Sequence, residues 1–152
     1  MPHNKFMTDP ELNALGVQQR RMLEIVWQHN GATVQEVLTE LNATSNAPPL
    51  AYTTVLATMQ KLEKAGWLTH EPSPENARTY MYKATRTRPS AIGDSLRKFA
   101  DTFLGGSKTL LFQHFVDDAG LSEEELDEIR KMIEKKDGRR QTADSRRKTS
   151  NN

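Results

Sequence analysis

The chain has 152 residues, with 21 Lys and Arg against 20 Asp and Glu, no cysteine and a mean hydropathy of −0.74, which suits one or two small soluble domains. The absence of cysteine excludes disulfides, a thiolate nucleophile and cysteine-based metal sites, and it favours a reducing, cytoplasmic location. No apolar run approaches the roughly 20 residues that span a bilayer, and residues 1–10 lack a signal-peptide pattern, so membrane insertion is not expected.

Charge is divided unevenly along the chain. The net charge is +1 in residues 1–88, −3 in 89–136 and +3 in 137–152. Residues 41–60 carry no charge at all, and the basic residues of the first block gather after this neutral stretch. The positive charge therefore concentrates where a predicted helix gives way to predicted strands.

Two short helices are predicted first. Apolar residues recur at helical spacing over 15–29, with Gly16 as the N-cap, and the segment ends at Asn30-Gly31, a common C-terminal signal. The second helix opens with the capping box from Thr33 to Glu36 and continues for about two to three turns. Residues 42–49, rich in Asn, Ser, Ala and Pro, are interpreted as a loop.

A third helix is predicted over 50–65, ending at Gly66. Its buried stripe consists of Val55, Met59 and Leu62, at spacing i, i+4 and i+7. Short hydroxyl side chains and then lysines fall on or beside the opposite face. This outer face is therefore polar first and basic towards its end.

A strand pair follows the third helix. Residues 67–71 and 78–83 have strand character, and the Pro-containing segment 72–76 joins them as a hairpin. Tyr80 and Tyr82 alternate onto one side of the second strand, where core positions are more common than contacts. The order helix, helix, helix, hairpin predicts a winged helix-turn-helix in a mainly α fold.

Three amphipathic helices are predicted in the 48 residues from 89 to 136. Pro89 suits a first helical turn, Gly105-Gly106 breaks the first of these helices, and Ser122 opens the last with another capping box. Three helices of this length cannot hide their apolar faces alone, so a second copy of the chain is expected to cover them. The candidate dimerisation residues are Leu96, Phe99, Phe103, Leu110, Leu111, Phe115, Leu126, Ile129 and Met132.

The predicted domain organisation has four parts. Residues 1–14 form a flexible leader, 15–88 a winged-helix DNA-binding domain, 89–136 a helical dimerisation domain, and 137–152 a disordered basic tail. The tail either adds unspecific affinity for DNA or only keeps the chain soluble.

No catalytic or metal-binding constellation is predicted. His3, His29, His70 and His114 lie far apart and outside any metal-ligand spacing, and neither a phosphate-binding glycine loop nor a nucleophile elbow occurs. The acidic run 123–125 is typical of a helix N-terminus. The chain is therefore not expected to be an enzyme, or to hold a metal or another cofactor.

The nucleic-acid signal is stronger because it joins an arrangement of elements to a surface chemistry. Hydroxyl groups, a methyl group for thymine and long cations suit base edges and phosphates. The candidate DNA-binding residues are Thr33, Tyr52, Thr53, Thr54, Thr58, Lys61, Lys64 and Arg78. The alternatives are that Thr53 only caps the helix, that the other threonines are merely solvated, and that Arg78 is an ordinary exposed strand-end arginine.

At the motif level the chain resembles the penicillinase repressor family, the BlaI/MecI/CopY group, over residues 15–136. The motifs are Leu15-x3-Gln19-x2-Met22-Leu23-x2-Val26-Trp27, Gly31-Ala-Thr-Val34-x-Glu36-Val37, Tyr52-Thr-Thr-Val55-x2-Thr58-Met59-x-Lys61-Leu62-x3-Gly66 and Arg78-Thr-Tyr80-x-Tyr82. The resemblance implies a winged helix that binds a palindromic operator, a helical dimerisation domain, and repression relieved by a membrane sensor-protease pathway. A regulatory protease or antirepressor, and a β-lactam or cell-envelope stress circuit, are the implied partners and setting.

Two family features are missing. The C-terminal cysteine cluster of copper-responsive members is absent, which disfavours copper sensing, and no scissile Asn-Phe pair occurs near Gly105-Gly106. The leading hypothesis is a homodimeric transcriptional repressor. The alternatives are a winged helix used as a protein-protein interaction module, which should expose a larger apolar patch on the third helix, and a small hydrolase.

Overall fold

The structure, a computed structural model, describes residues 10–118 and 120–149. In chain order its elements are a 3-10 helix (Leu12–Ala14), α1 (Val17–His29), β1 (Ala32–Thr33), α2 (Val34–Thr44), α3 (Tyr52–Lys64), β2 (Leu68–Pro72), β3 (Tyr80–Ala84), α4 (Arg88–Phe103), α5 (Lys108–Asp117) and α6 (Glu123–Thr149). The predicted winged helix-turn-helix in a mainly α fold is confirmed. The chain divides into two compact units between Phe99 and Ala100, here called the winged-helix unit and the helical unit.

The winged-helix unit has a continuous hydrophobic core. Its α3 buries the predicted stripe, since Val55, Met59 and Leu62 are inaccessible to solvent. The other buried core residues are Met22, Leu23, Ile25, Val26, Ala32, Val34, Val37, Leu41, Trp67, Leu68, Tyr82 and Ala91. Trp27 joins α1 to the end of the hairpin, because its Nε1 donates a hydrogen bond to the Arg86 carbonyl at 2.8 Å.

The sheet has three antiparallel strands in the order β1-β3-β2, where the sequence predicted a hairpin alone. The extra strand β1 is two residues long and pairs Ala32 with Tyr82, which is too short to leave a periodic pattern. Gly31 makes the direct passage from α1 to β1 feasible. Its φ is +117°, and a Cβ there would lie 3.2 Å from Met81 Sδ, so a side chain would meet both strain and crowding.

The predicted helix signals are confirmed at three places. The Gly16 N–H donates to Gln19 Oε1 at 3.0 Å at the start of α1, and Asn30 adopts a left-handed conformation at its end. In the Thr33 capping box, the Glu36 N–H donates to Thr33 Oγ1 at 3.2 Å and the Thr33 N–H donates to a Glu36 carboxylate oxygen at 3.0 Å.

The third helix begins two residues later than predicted, at Tyr52 rather than Leu50. The reason lies in Asn42, whose amide accepts from the Leu50 N–H at 2.9 Å and donates to the Leu50 carbonyl at 3.2 Å. These two bonds take up the backbone groups of Leu50 and hold it outside the helix. The strands of the hairpin likewise begin one or two residues later than predicted.

The interpretation of Tyr80 as a core residue is wrong, because 53% of it is exposed, whereas Tyr82 is buried as predicted. The two residues do share one face of β3, as the alternation indicated. That face continues beyond the end of the core, since the hairpin projects past the helices that cover Tyr82. The alternation of residues along a strand shows on which face of the sheet a side chain lies. It does not show how far along the strand the hydrophobic core covers that face.

Residues 137–149, expected to be disordered, instead continue α6 to Thr149. Lys, Arg and Gln are good helix formers, so a lack of apolar residues removes the reason to pack but not the tendency to form a helix. Of the predicted flexible leader, residues 1–14, residues 1–9 lie outside the described residues, as do the last three residues of the predicted tail. No helix in the described ranges is long and apolar enough to cross a membrane.

Candidate nucleic-acid interface

The outer surface of α3 carries most of the candidate residues. Thr54, Thr58 and Lys61, at i, i+4 and i+7, form a row that flanks the buried stripe, and Thr53 and Lys64 lie on the face opposite the core. All of these are exposed except Thr58, which is half-buried. The helix therefore presents hydroxyl groups along its first turns and cations in its last turn.

The hydroxyl groups on α3 differ in what they can offer a ligand. Thr58 Oγ1 donates to the Thr54 carbonyl at 3.0 Å, so this side chain has its methyl group and its acceptor lone pairs left for a base edge. In the described part of the chain, the hydroxyls of Thr53 and Thr54 have no hydrogen-bond partner. Thr53 is not a cap, because the N-cap position belongs to Ala51.

The N-terminus of α3 is open to an anion. Ala51 has no side chain that could accept from the first helical N–H groups, and no side-chain cap is present there. Tyr52, 46% exposed, is the first helical residue. A DNA phosphate is the kind of group that the positive end of the helix dipole and unpaired N–H donors attract.

The loop of the hairpin, residues 73–79 and hereafter the wing loop, is closed by its own hydrogen bonds. The Ser73 N–H donates to the Thr79 carbonyl at 2.7 Å, and the Thr79 N–H donates to the Asn76 carbonyl at 2.9 Å. The Arg78 N–H donates to Asn76 Oδ1 at 3.1 Å. The backbone of Arg78 is thus fixed while its guanidinium is exposed.

Cations of the winged-helix unit fall into two groups. In the described residues, the cations without an ion-pair partner are Lys61 and Lys64 of α3, Arg78 of the wing loop, and Arg20 and Arg21 of α1. The paired cations are Lys83 with Glu71 (2.6 Å), Arg88 with Glu24 (2.9 Å), Arg97 with Asp94 (3.0 Å), Lys98 with Glu11 (3.1 Å) and Arg86 with Asp94. The unneutralised positive charge therefore includes the end of α3 and the wing loop.

Thr33 is placed differently from the other candidates. Its hydroxyl oxygen accepts from the Glu36 N–H, so its first role is to cap α2. Its hydroxyl hydrogen remains available to a phosphate oxygen.

A contact that the sequence reasoning missed joins α3 to the hairpin. His70 Nδ1 of β2 lies 2.7 Å from both carboxylate oxygens of Glu63, and the His70 ring packs edge-on against Tyr80 at 4.8 Å. Burial, and after it the nearby Glu63 carboxylate, raises the pKa of the Tyr82 phenol, which stays neutral. The turn around Gly66 separates Glu63 from His70, so no helical or strand period connects them.

The described residues contain no group of three or more His, Asp or Glu residues that could hold a metal ion. His29 and His114 each pair with a single carboxylate, Glu40 and Asp118 respectively. His3 lies outside the described residues.

The candidate dimerisation residues are exposed or half-buried in the single chain. Phe103 is 71% and Met132 66% exposed, and Leu96, Phe99, Leu110 and Phe115 are exposed as well, while Leu111, Leu126 and Ile129 are half-buried. In the described part of the helical unit, Ala100 is the only buried hydrophobic residue. These helices therefore leave their apolar faces in solvent.

Known proteins resemble this chain in sequence and in fold. The penicillinase repressor family matches residues 15–135. A penicillinase repressor of Bacillus licheniformis is 25% identical over 119 residues, covering 78% of this chain and 88% of that protein. Two solved structures are similar in fold: a transcriptional regulator of Thermotoga maritima (19% identity, 86% and 79% of the two chains, TM-score 0.49) and the DNA-binding domain of the repressor BlaI (21%, 53% and 88%, TM-score 0.42). The family match covers most of the chain, which therefore belongs to the penicillinase repressor family of winged-helix transcriptional repressors, not to an enzyme family.

Proposed function

We propose that this protein is a homodimeric transcriptional repressor that binds an inverted-repeat operator in duplex DNA, with α3 in the major groove and the wing loop on the backbone or in the adjacent minor groove. The observation that carries the proposal is the outer surface of α3. There, hydroxyl groups without a hydrogen-bond partner are followed by lysines without an ion-pair partner. A polyanion with readable base edges is the ligand that such a surface suits.

Each group has a chemical assignment in this proposal. Thr53, Thr54 and Thr58 offer hydroxyl and methyl groups to base edges, and Lys61 adds a long cation for a guanine edge or a phosphate. The sugar-phosphate backbone of DNA is contacted by Tyr52, Lys64, Thr33 and Arg78. These contacts fix the register of the protein on the duplex without reading the base sequence. The polar and basic character of this face argues against the alternative use of the winged helix for protein contact.

Dimerisation supplies what one winged helix lacks. The exposed apolar residues of α5 and α6, such as Leu110, Phe115 and Met132, are the side chains that we expect a second copy to cover. A two-fold dimer presents its α3 helices in opposite sense, so the operator is an inverted repeat with half-sites about one helical turn apart, roughly 34–36 Å, or a multiple of it.

The name of the Bacillus licheniformis relative suggests which genes this protein regulates. Because the Bacillus licheniformis relative is a penicillinase repressor, a β-lactam or cell-envelope stress response is the first setting to test. Release of the operator by a regulatory protease or an antirepressor acting on the helical region is the corresponding proposal for induction.

Genome-wide mapping of bound DNA tests the function. We expect enrichment of a short inverted repeat upstream of a few genes, and loss of that enrichment in a Thr54→Ala, Thr58→Ala, Lys61→Ala triple variant that folds normally. The matched control is Arg97→Ala, an exposed cation paired with Asp94 on α4, which should keep the same targets. Recovery of partner proteins without any enriched sequence would overturn the proposal in favour of a protein-protein interaction module.

A further inference from the structure

The outer half of the hairpin has little support from the core. Leu68 and Tyr82, at its base, are 1% and 4% exposed, but His70, Glu71 and Pro72 of β2 are all exposed. The wing loop lies beyond these residues. Contacts outside the core can therefore help to set the angle at which the wing loop stands relative to α3.

The Glu63–His70 contact lies in this exposed part of the hairpin. It joins the last turn of α3, which bears Lys61 and Lys64, to β2 at a point three residues before the wing loop begins. In the described residues it is the only side-chain hydrogen bond between α3 and the hairpin strands. Tyr80 and Tyr82 pack on the same imidazole at 4.8 and 5.6 Å, so the ring is held from both α3 and β3.

We propose that Glu63 and His70 are positioning residues that set the wing loop against α3, so that Arg78 engages DNA at the same time as Lys61 and Lys64. The proposal rests on the DNA-binding function proposed above. Neither residue needs to touch DNA, since both act through the placement of Arg78.

A double-mutant cycle tests the proposal. The probes are a duplex cut from the most enriched genomic fragment and a scrambled duplex of equal length. His70→Phe keeps a ring against Tyr80 but removes the bond to Glu63. We expect Arg78→Ala to weaken binding of the enriched duplex by about tenfold in the wild-type background and by less than about threefold beside His70→Phe.

Controls separate positioning from loss of structure and from failure of the proposed function. His29→Phe removes a similar pair with Glu40 between α1 and α2, and should leave the cost of Arg78→Ala unchanged. Glu63→Gln is a second variant, and thermal unfolding verifies that each protein is folded. Equal costs of Arg78→Ala in both backgrounds would overturn the positioning role alone. A wild-type chain that does not prefer the enriched duplex over the scrambled one would overturn the proposed function, and this inference with it.

Discussion

The two units of this chain treat their apolar residues in opposite ways. In the winged-helix unit, large side chains such as Trp67, Met59 and Leu62 are almost completely buried. In the helical unit, Phe115, Met132 and Ile133 are 47%, 66% and 51% exposed. The first unit has a hydrophobic core and can fold alone, whereas the second exposes the kind of apolar side chains that subunit interfaces contain. We therefore propose that DNA recognition and dimerisation belong to different parts of one chain.

Removal of the helical unit should have the largest effect. A chain ending at Phe99 keeps Ala91 in the core and the Arg88–Glu24 ion pair, so we expect a folded monomer. Its affinity for the inverted repeat should fall by about 10²–10⁴, because the second winged helix no longer binds at high effective concentration. Sedimentation and operator titration measure both quantities. A dimer that survives the truncation would show that the interface lies in the winged-helix unit.

The two kinds of apolar residue should respond differently to truncation of the side chain. Leu62→Ala creates a cavity in the core and should lower the free energy of unfolding by about 2–5 kcal/mol. Phe115→Ala should leave the unfolding of the winged-helix unit unchanged and raise the dissociation constant of the dimer roughly thirtyfold. Denaturant titration at several protein concentrations separates these effects. If Phe115→Ala destabilised the winged-helix unit while the dimer remained intact, the contrast between the units would be lost.

Within the winged-helix unit, cations without an ion-pair partner should affect DNA binding differently from cations that are paired with carboxylates. Lys61→Ala and Arg78→Ala should each lower the slope of log affinity against log salt by up to about one unit, the full unit applying where the cation contacts a phosphate. Arg88→Ala is the matched control, since its guanidinium is engaged by Glu24 at 2.9 Å. Titrations on duplex DNA at several salt concentrations decide. Slopes equal to that of the wild type for both Lys61→Ala and Arg78→Ala would mean that α3 and the wing loop do not lie on the backbone.

The smallest effect is expected at the start of α2. Thr33→Ala removes the acceptor for the Glu36 N–H and should lower stability by about 1 kcal/mol. Thr33→Ser keeps the cap and should match the wild type in urea unfolding. An equal loss in both variants would assign the effect to the methyl group instead of the cap.

Sequence patterns within one helix or strand predicted much of this structure. They did not predict the contacts between segments that are distant in the sequence. The i, i+4, i+7 stripe of α3 and the Thr33 capping box depend on residues within two turns, so the sequence shows them directly. The pairing of Ala32 with Tyr82 and the contact of Glu63 with His70 join segments that have no common period. The exposure of Tyr80 depends on where the core ends, which is a property of the assembled fold. Residues 137–149 became helical because the tendency to form a helix does not require a buried face.

Footprinting on two templates tests the central claim most directly. The full chain would be titrated against the mapped inverted repeat and against a duplex that retains one half-site, with the other scrambled. We predict that both half-sites of the repeat become protected together, at a protein concentration well below that needed for the isolated half-site, because one dimer places both α3 helices. Equal protection of the two templates at the same concentration would contradict the account, since binding would then owe nothing to dimerisation.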